Sequence, residues 1–141
     1  MRLCVIEALC PKDINMKRTH IIYWTSTVLV TLQAGLAGIM CITNPEVAPG
    51  FAHLGFPDYF RWELGIAKFI GATAILLPIA PLRVKEWAYA GLAIVFLSAF
   101  IAHTAVDGIG TAIAPVVSLV LLVVSYVHLH KREAMTIAAT A

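Results

Sequence analysis

Four long apolar runs dominate this sequence and constrain its fold more than any other feature. They cover residues 21–42, 62–80, 87–106 and 109–129. A helix needs roughly 20 mostly apolar residues to cross the ~30 Å hydrocarbon core of a bilayer. Backbone polar groups inside a bilayer must bond to one another, so runs of this length predict helices. The sequence therefore predicts an all-α, polytopic membrane protein with a four-helix transmembrane bundle.

The composition agrees with a membrane protein and excludes other classes. Of the 141 residues, 60% are hydrophobic and 13% are charged, whereas soluble domains average about 25% charged residues. The sequence contains no long basic run and no glycine-rich phosphate loop. We therefore expect a single domain whose main partner is the lipid bilayer, with no nucleic-acid partner.

Basic residues near the ends of the runs predict the orientation of the chain. Three groups fall on one side of the predicted bundle: Arg2, Lys12, Lys17 and Arg18 before the first run, Arg83 and Lys85 between the second and third, and Lys131 and Arg132 after the fourth. Arg61 is the single basic residue between the first and second runs or between the third and fourth. Because cytoplasmic loops carry the excess of Lys and Arg, both termini are predicted to be cytoplasmic.

The chain divides into a preface, a membrane domain and a tail. Met16, Lys17 and Arg18 are typical of the start of a membrane protein with a cytoplasmic N-terminus. Residues 1–15 are therefore interpreted as an N-terminal extension, either a start-site artefact or a dispensable tail. Residues 16–133 form the predicted membrane domain, and residues 134–141 form a C-terminal tail.

The connections between the runs differ in length. Residues 81–86 and Asp107-Gly108 are short connections, so the second, third and fourth helices should be antiparallel neighbours. Residues 43–61 form a long connection in which Pro and Gly prevent a long helix, although several aromatic residues make it too apolar for free solvation. It is predicted to contain a short helix or turn, which is either an interfacial anchor or a lid over a cavity.

The sequence carries no recognisable catalytic or metal-binding motif. Cys4, Cys10 and Cys41 form no C-x-x-C pair and lie at no zinc spacing with histidine. No haem pair, flavin motif or metal triad is visible, and His128 with His130 is interpreted as a solvated pair near the C-terminus. The sequence thus predicts no catalytic residue, no metal and no evident cofactor, and it leaves open whether the protein is an enzyme.

Several short motifs together resemble one protein family. They are HLGFP and YF within 53–60, ELGIAK at 63–68 with Gly71, KEWAYAG at 85–91, and SAF at 98–100 with His103. The chain from about residue 16 to about residue 132 resembles the DoxX-like family of small bacterial membrane proteins. The resemblance implies a four-helix protein of the bacterial inner membrane.

The resemblance implies two directions for function. The family takes its name from a subunit of a thiosulfate:quinone oxidoreductase, which implies a quinone- or lipophile-binding subunit with a redox partner protein. Distant relatives act as assembly chaperones, which implies a non-enzymatic scaffold that works through helix contacts, including contacts in a homo-oligomer. Because a shared fold does not fix function, both directions stay open.

Ionisable residues inside the predicted helices are candidates for a site, because they are costly in a bilayer. Glu63, Lys68, His103 and Asp107 all fall in the same half of the bilayer, and Gln33 could join them from the first helix. Lys68 lies ~140° around its helix from Glu63, so these two residues do not pair. His103 and Asp107 are four residues apart and share a face. Glu63 and His103 are expected to meet across helices two and three.

Two interpretations of this polar cluster remain. In the first, the cluster orients helices two and three, and Lys68 extends its ammonium group toward the interface. In the second, the cluster binds the polar head group of an amphipathic ligand such as a quinone, beneath a lid that contains His53. A hydrogen-bond donor such as His103 or Lys68 would then bond to the quinone carbonyl.

Overall fold

The computed structural model describes residues 3–140 of the chain, and side chains from residue 15 to residue 138. Its five α-helices are α1 Leu3–Thr43, α2 Ala48–His53, α3 Asp58–Leu76, α4 Leu82–Val106 and α5 Ile113–Thr140. Two short 3₁₀ helices, Pro45–Val47 and Ile109–Ala112, precede α2 and α5. No strand occurs between residues 3 and 140, so the predicted all-α class is confirmed. The preface predicted at 1–15 lies, apart from Asn15, outside the residues whose side chains are described.

Three helical segments in the described part of the chain are long and apolar enough to cross a membrane. They are Asn15–Thr43, Leu82–Val106 and Ile109–Ala138. The remaining long helix, α3, has 19 residues, or about 28 Å at 1.5 Å per residue. It carries Arg61, Glu63 and Lys68 along its length, and it is not among the three segments. The membrane character predicted from the sequence is thus confirmed for three helices.

Proline sets both ends of α3. The helix follows Pro57, whose ψ of 156° is extended. It ends before Leu77, whose ψ of 118° is also extended. Pro78 follows Leu77, and the helical conformation is disfavoured for a residue that precedes proline. The apolar run at 62–80 is therefore helical over Asp58–Leu76, four residues earlier at each end.

The four long helices pack as a ring. Helix α1 contacts α3 and α5, and α4 contacts the same two helices. Consecutive long helices are antiparallel, so one end of the ring carries α2 and is termed the loop end. The opposite end carries the start of α1 and the end of α5. Residues buried inside the ring form the core: Tyr23, Val30, Ala34, Ala72, Ile75, Tyr89, Leu92, Phe96, Leu122 and Leu129. Many large apolar side chains face outward, including Leu29, Leu32 and Leu36 on α1, as expected for a surface that meets lipid.

Helices α1 and α3 approach each other most closely at two glycines. A Cβ atom added at Gly38 would lie 2.8 Å from the carbonyl oxygen of Gly65, and one at Gly65 would lie 2.9 Å from that of Gly38. Small residues allow membrane helices to approach to this degree. The glycines thus fix the distance between α1 and α3 below the loop end.

A hydrogen-bonded triad joins three helices inside the core. The hydroxyl of Ser125 on α5 lies 2.6 Å from Thr27 Oγ1 on α1 and 2.6 Å from the Tyr89 hydroxyl on α4. All three residues are buried. Hydrogen bonds between membrane helices are worth about 0.6 kcal/mol on average. The triad therefore fixes the relative positions of α1, α4 and α5 toward the end opposite α2.

Candidate functional site

A cavity of about 340 Å³ lies at the loop end of the ring, between α3, α4 and the connection from α1 to α3. Its walls come from the end of α1, from α2 and its flanks, from one face of α3 and from the second half of α4. The lining residues are Cys41, Val47, Gly50, Phe51, His53, Leu54, Phe56, Phe60, Leu64, Lys68, Val95, Ser98, Ala99, Ala102, His103 and Asp107. Ligand pockets are typically concave, mostly apolar and supplied with a few polar groups. This cavity has the same character.

Residues 45–56 form the roof of the cavity and are termed the lid. Helix α2 ends in a Schellman motif, in which Phe56 N–H donates to Phe51 O at 2.9 Å and Gly55 N–H donates to Ala52 O at 3.0 Å. Gly55 has a φ of +82°, a left-handed conformation that glycine adopts without strain. The ring of Phe56 stacks on Phe60 of α3 at 4.7 Å between centroids. Backbone geometry and aromatic packing thus hold the lid against α3.

Arg61 fixes the start of the lid. The side chain is buried, its Nε donates to Asp58 Oδ1 at 2.9 Å, and its Nη1 donates to the carbonyl oxygen of Cys41. The same Nη1 lies 3.5 Å from the carbonyl oxygen of Asn44. The last carbonyl groups of a helix lack partners within the helix. Arg61 on α3 therefore satisfies the end of α1 and fixes the point from which the lid begins.

A hydrogen bond between His53 and Asp107 closes the lid over the cavity. Nε2 of His53 on α2 lies 2.7 Å from Oδ1 of Asp107, the residue that caps α4. Hydrogen bonding from His53 is the main cause that holds the pKa of the Asp107 carboxyl below its usual range. The other oxygen, Oδ2, lies 3.5 Å from His103 Nδ1, which is longer than a hydrogen bond. The carboxylate of Asp107 therefore lies between two histidines and bonds to the one on the lid.

Lys68 lines the deep part of the cavity. It lies ten residues into α3, about 15 Å along the helix from its start, and its side chain is half-buried. Among the described residues, its ammonium has no hydrogen-bond or ion-pair partner. The free thiol of Cys41 is buried on the same wall. An unpaired cation within an apolar cavity is costly, and this cost makes Lys68 the most informative residue of the site.

Four of the six residues predicted from the sequence line this cavity: Lys68, His103, Asp107 and His53. Glu63 and Gln33 are exposed and do not line it. Glu63 lies on a different face of α3 from Lys68, and the described residues include no hydrogen bond or ion pair between Glu63 and His103. The expected contact between Glu63 and His103 is therefore not formed, because α3 turns its Lys68 face, not its Glu63 face, toward α4.

Sequence reasoning missed three features of the site. The interaction of Arg61 with the end of α1 had no signal beyond a lone basic residue at the loop end. The position of Cys41 had none either, since a cysteine in an apolar run is ordinarily a packing residue. The pairing of His53 with Asp107 joins residues 54 positions apart, which no local pattern predicts.

Between residues 15 and 138, no group of three or more His, Cys, Asp and Glu side chains could hold a metal ion.

Comparison with known proteins identifies the family. No curated protein matches the chain, and no solved structure matches it. The model of the DoxX-like family matches residues 25–125, more than two thirds of the chain. The matched segment includes the lid, the two close-packed glycines and every residue that lines the cavity. The chain therefore belongs to the DoxX-like family.

Proposed function

We propose that this DoxX-like protein binds an amphipathic lipophile in the cavity beneath the lid, as a four-span protein of the bacterial inner membrane. One observation carries the proposal: the ammonium of Lys68 lines an apolar cavity without a partner among the described residues. Ionisable groups at membrane depth usually mark a binding site or pathway. A polar head group that accepts a hydrogen bond would supply the partner that Lys68 lacks.

The proposed topology has four spans and both termini in the cytoplasm. Helix α3 is long enough to be the fourth span, at about 28 Å. Two of its charged residues avoid direct contact with lipid. Arg61 bonds to Asp58 and to the end of α1, and Lys68 lines the cavity. Basic residues cluster at the end of the ring opposite the lid, which favours that end as the cytoplasmic one. The lid and the cavity would then face the periplasmic half of the bilayer.

A quinone is the first candidate ligand. Its ring would occupy the aromatic part of the cavity, and a carbonyl oxygen would accept a hydrogen bond from Lys68 or His103. The volume of about 340 Å³ is within the range of small-molecule pockets, which starts near 300 Å³. Electrons for a bound quinone would come from a redox partner protein, so the chain is proposed to act as a ligand-binding subunit, not as an enzyme on its own.

A membrane scaffold or assembly factor is the second candidate. A groove of about 390 Å³ on the outside of the ring runs between α3 and α4, and Ala67, Gly71, Ala74 and Gly91 are among its lining residues. A Cβ atom added at Gly91 would meet nothing within 4 Å. Small residues at an open groove allow a helix of another protein, or of a second copy, to approach. The groove adjoins the Lys68 cavity and shares Val95 with it, but Gly91 lines only the groove and Lys68 only the cavity, so the two functions can be tested with different variants.

The test compares lipids that co-purify with the wild type and with three variants. Protein is extracted in mild detergent, and bound small molecules are identified by native mass spectrometry. Lys68→Met should lose the bound lipophile while the helices stay folded, and Lys68→Arg should keep it. Glu63→Gln is the matched control, because it removes a charge from the same helix outside the cavity. Equal lipophile in all four proteins, or none in the wild type, would overturn the ligand-binding proposal.

A fourth variant addresses the scaffold function. Gly91→Leu fills the external groove without touching the cavity, since Gly91 lines only the groove of these two. If the protein is a scaffold, this variant should lose co-purifying membrane proteins or self-association, while Lys68→Met should not. The opposite result, loss with Lys68→Met alone, supports the ligand-binding subunit.

A further inference from the structure

We infer that the cavity takes an anionic, single-chain amphiphile whose carboxylate or phosphate group pairs with Lys68. The inference rests on the proposed function, because it names the ligand class of the same cavity. It differs from the quinone candidate in one property that can be measured, the formal charge of the head group. The charges around the cavity, its volume and its spare donors each support it.

The carboxylates near the cavity are all unable to neutralise Lys68. Asp58 pairs with Arg61 at 2.9 Å, and Asp107 pairs with His53 at 2.7 Å. Glu46 on the lid and Glu63 on α3 are exposed and do not line the cavity. The positive charge of Lys68 therefore has no counter-charge from these side chains.

A neutral head group would leave that charge uncompensated. A hydrogen bond between an ammonium and a carbonyl is weaker than one in which the acceptor is also charged. In a medium of low dielectric constant, an ion pair gains far more from the opposite charge than it would in water. An anionic head group would thus complete the charge pairing that the chain leaves open, and a quinone would not.

The volume of the cavity limits the rest of the ligand. At about 30 Å³ for each water-sized group, a cavity of about 340 Å³ holds on the order of eleven such groups. A small head group with a medium-length single chain fills this space. The rings of Phe51, Phe56 and Phe60 line the cavity and would pack against the chain.

The site has donors to spare for a second oxygen of the head group. Nδ1 of His103 is buried and makes no hydrogen bond among the described residues, and it lies 3.5 Å from Oδ2 of Asp107. Ser98, one turn earlier on α4 than Ala102, also lines the cavity. A carboxylate or phosphate has two or more oxygens, so it can pair with Lys68 and accept a second hydrogen bond. The donor set matches an anion better than a single carbonyl group.

The experiment measures binding of ten-carbon amphiphiles that differ only in their head group. The protein is placed in nanodiscs of phosphatidylcholine, and its thermal unfolding is followed by the fluorescence of its three tryptophans. The probes are decanoate, decyl phosphate, decanol and a benzoquinone with a decyl chain. We expect an anionic probe to bind at least tenfold more tightly than decanol. Which of the two anions binds better distinguishes a fatty acid from a single-chain phospholipid as the source of the head group.

Variants of Lys68 complete the test. Lys68→Met should reduce binding of the anionic probes at least tenfold and leave decanol unchanged, whereas Lys68→Arg should restore it. If decanol and the decyl quinone bind as tightly as the anions, the anion inference is overturned while ligand binding in the cavity stands. If none of the four probes binds, both the inference and the proposed function fail. Anion binding that survives in Lys68→Met would remove Lys68 from the site.

Discussion

Gly38 and Gly65 oppose each other across α1 and α3 so closely that each occupies the space that a side chain on the other would need. The obstacle in each case is a backbone carbonyl oxygen, at 2.8 Å and 2.9 Å from the added Cβ atom. Backbone atoms cannot rotate away as a flexible side chain can. Replacing either glycine with a larger residue therefore requires a whole helix to move.

Gly38→Ala is accordingly expected to destabilise the protein by about 1–3 kcal/mol, the usual cost of overpacking. The measurement is reversible unfolding in detergent, followed by tryptophan fluorescence. Gly35→Ala is the matched control, because it lies one turn earlier on the same helix and an added Cβ atom there would meet nothing within 4 Å. Removing a helix-interior glycine should leave that variant equally stable or up to about 1 kcal/mol more stable. Equal effects of the two changes would contradict the close contact.

Ser125→Ala should destabilise the protein because Ser125 bonds to both Thr27 and Tyr89. At about 0.6 kcal/mol for each interhelical bond, we expect a loss of about 1–2 kcal/mol. Ser118→Ala is the control, since Ser118 is also buried on α5 and its hydroxyl bonds to Ala114 O of its own helix. The loss with Ser125→Ala should overlap that of Tyr89→Phe, so the double variant should lose less than the sum. Strict additivity would mean that the triad does not form.

Arg61→Met should release the start of the lid and lower stability by about 1–3 kcal/mol, the cost of leaving a buried acceptor without a donor. Arg61→Lys should restore only part of this loss, because an ammonium lacks the planar fork with which arginine reaches two partners. Thermal unfolding together with hydrogen exchange of residues 44–47 measures both effects. Arg83→Met, a change at an exposed arginine, is the control. A similar small effect of both Met variants would remove Arg61 from the support of the lid.

Asp107→Asn should loosen the lid, because a neutral amide oxygen accepts a weaker hydrogen bond from His53 than the carboxylate does. We expect faster hydrogen exchange in residues 45–56 and unchanged exchange in the core of α5. In the wild type, the pKa of Asp107 is lowered, chiefly by the hydrogen bond from His53. The stabilisation by the carboxylate is thus fully present above the usual Asp value of about 3.9, and it is lost as the pH falls through the lowered pKa.

The pH dependence of lid exchange separates this pair from other acidic groups. The difference in lid exchange between wild type and Asp107→Asn should be present at about pH 5 and disappear as the pH falls through the lowered pKa of Asp107, below the usual Asp value. Glu63→Gln serves as the control and should leave lid exchange unchanged. A difference that persists after the Asp107 carboxyl is protonated would show that another group controls the lid.

The proposed topology predicts the behaviour of a reporter that is active only in the cytoplasm. Fused after Ala141, the reporter should be active; inserted near Ala48, in the lid, it should be inactive. The charge distribution on the two sides of the bundle is the reason. Reporter activity at Ala48 would show the opposite orientation, with the cavity in the cytoplasmic half of the bilayer.

The helices could be predicted from the sequence because length and apolar composition are local properties. The helix predicted at 62–80 begins and ends four residues earlier in the structure, because Pro57 and Pro78 set the ends of α3 more strongly than hydropathy does. Depth along each helix could also be estimated from the rise per residue, and the structure places Lys68, His103 and Asp107 on the lining of one cavity. The rotation of each helix about its axis could not be predicted, because it depends on which faces the neighbouring helices present. That is the reason for the wrong expectation at Glu63.

The role of the long connection lay beyond the reach of the sequence for a different reason. Its aromatic residues suit an interfacial anchor as well as a lid. The two differ only in where His53 and Phe56 find their partners, and those partners, Asp107 and Phe60, belong to other helices. A pattern within residues 43–61 therefore holds no information that separates the two interpretations.

The hydrogen bonds from Arg61 to the end of α1 affect which segments can vary among proteins of this architecture. The anchor of the connection is set by α3 and by backbone carbonyl groups, so it does not depend on the side chains of residues 45–56. Insertions or exchanges in that segment can alter the roof without displacing the helices that carry Lys68 and His103. Transplanting residues 45–56 between relatives would accordingly change the roof of the cavity while the supporting helices keep their positions.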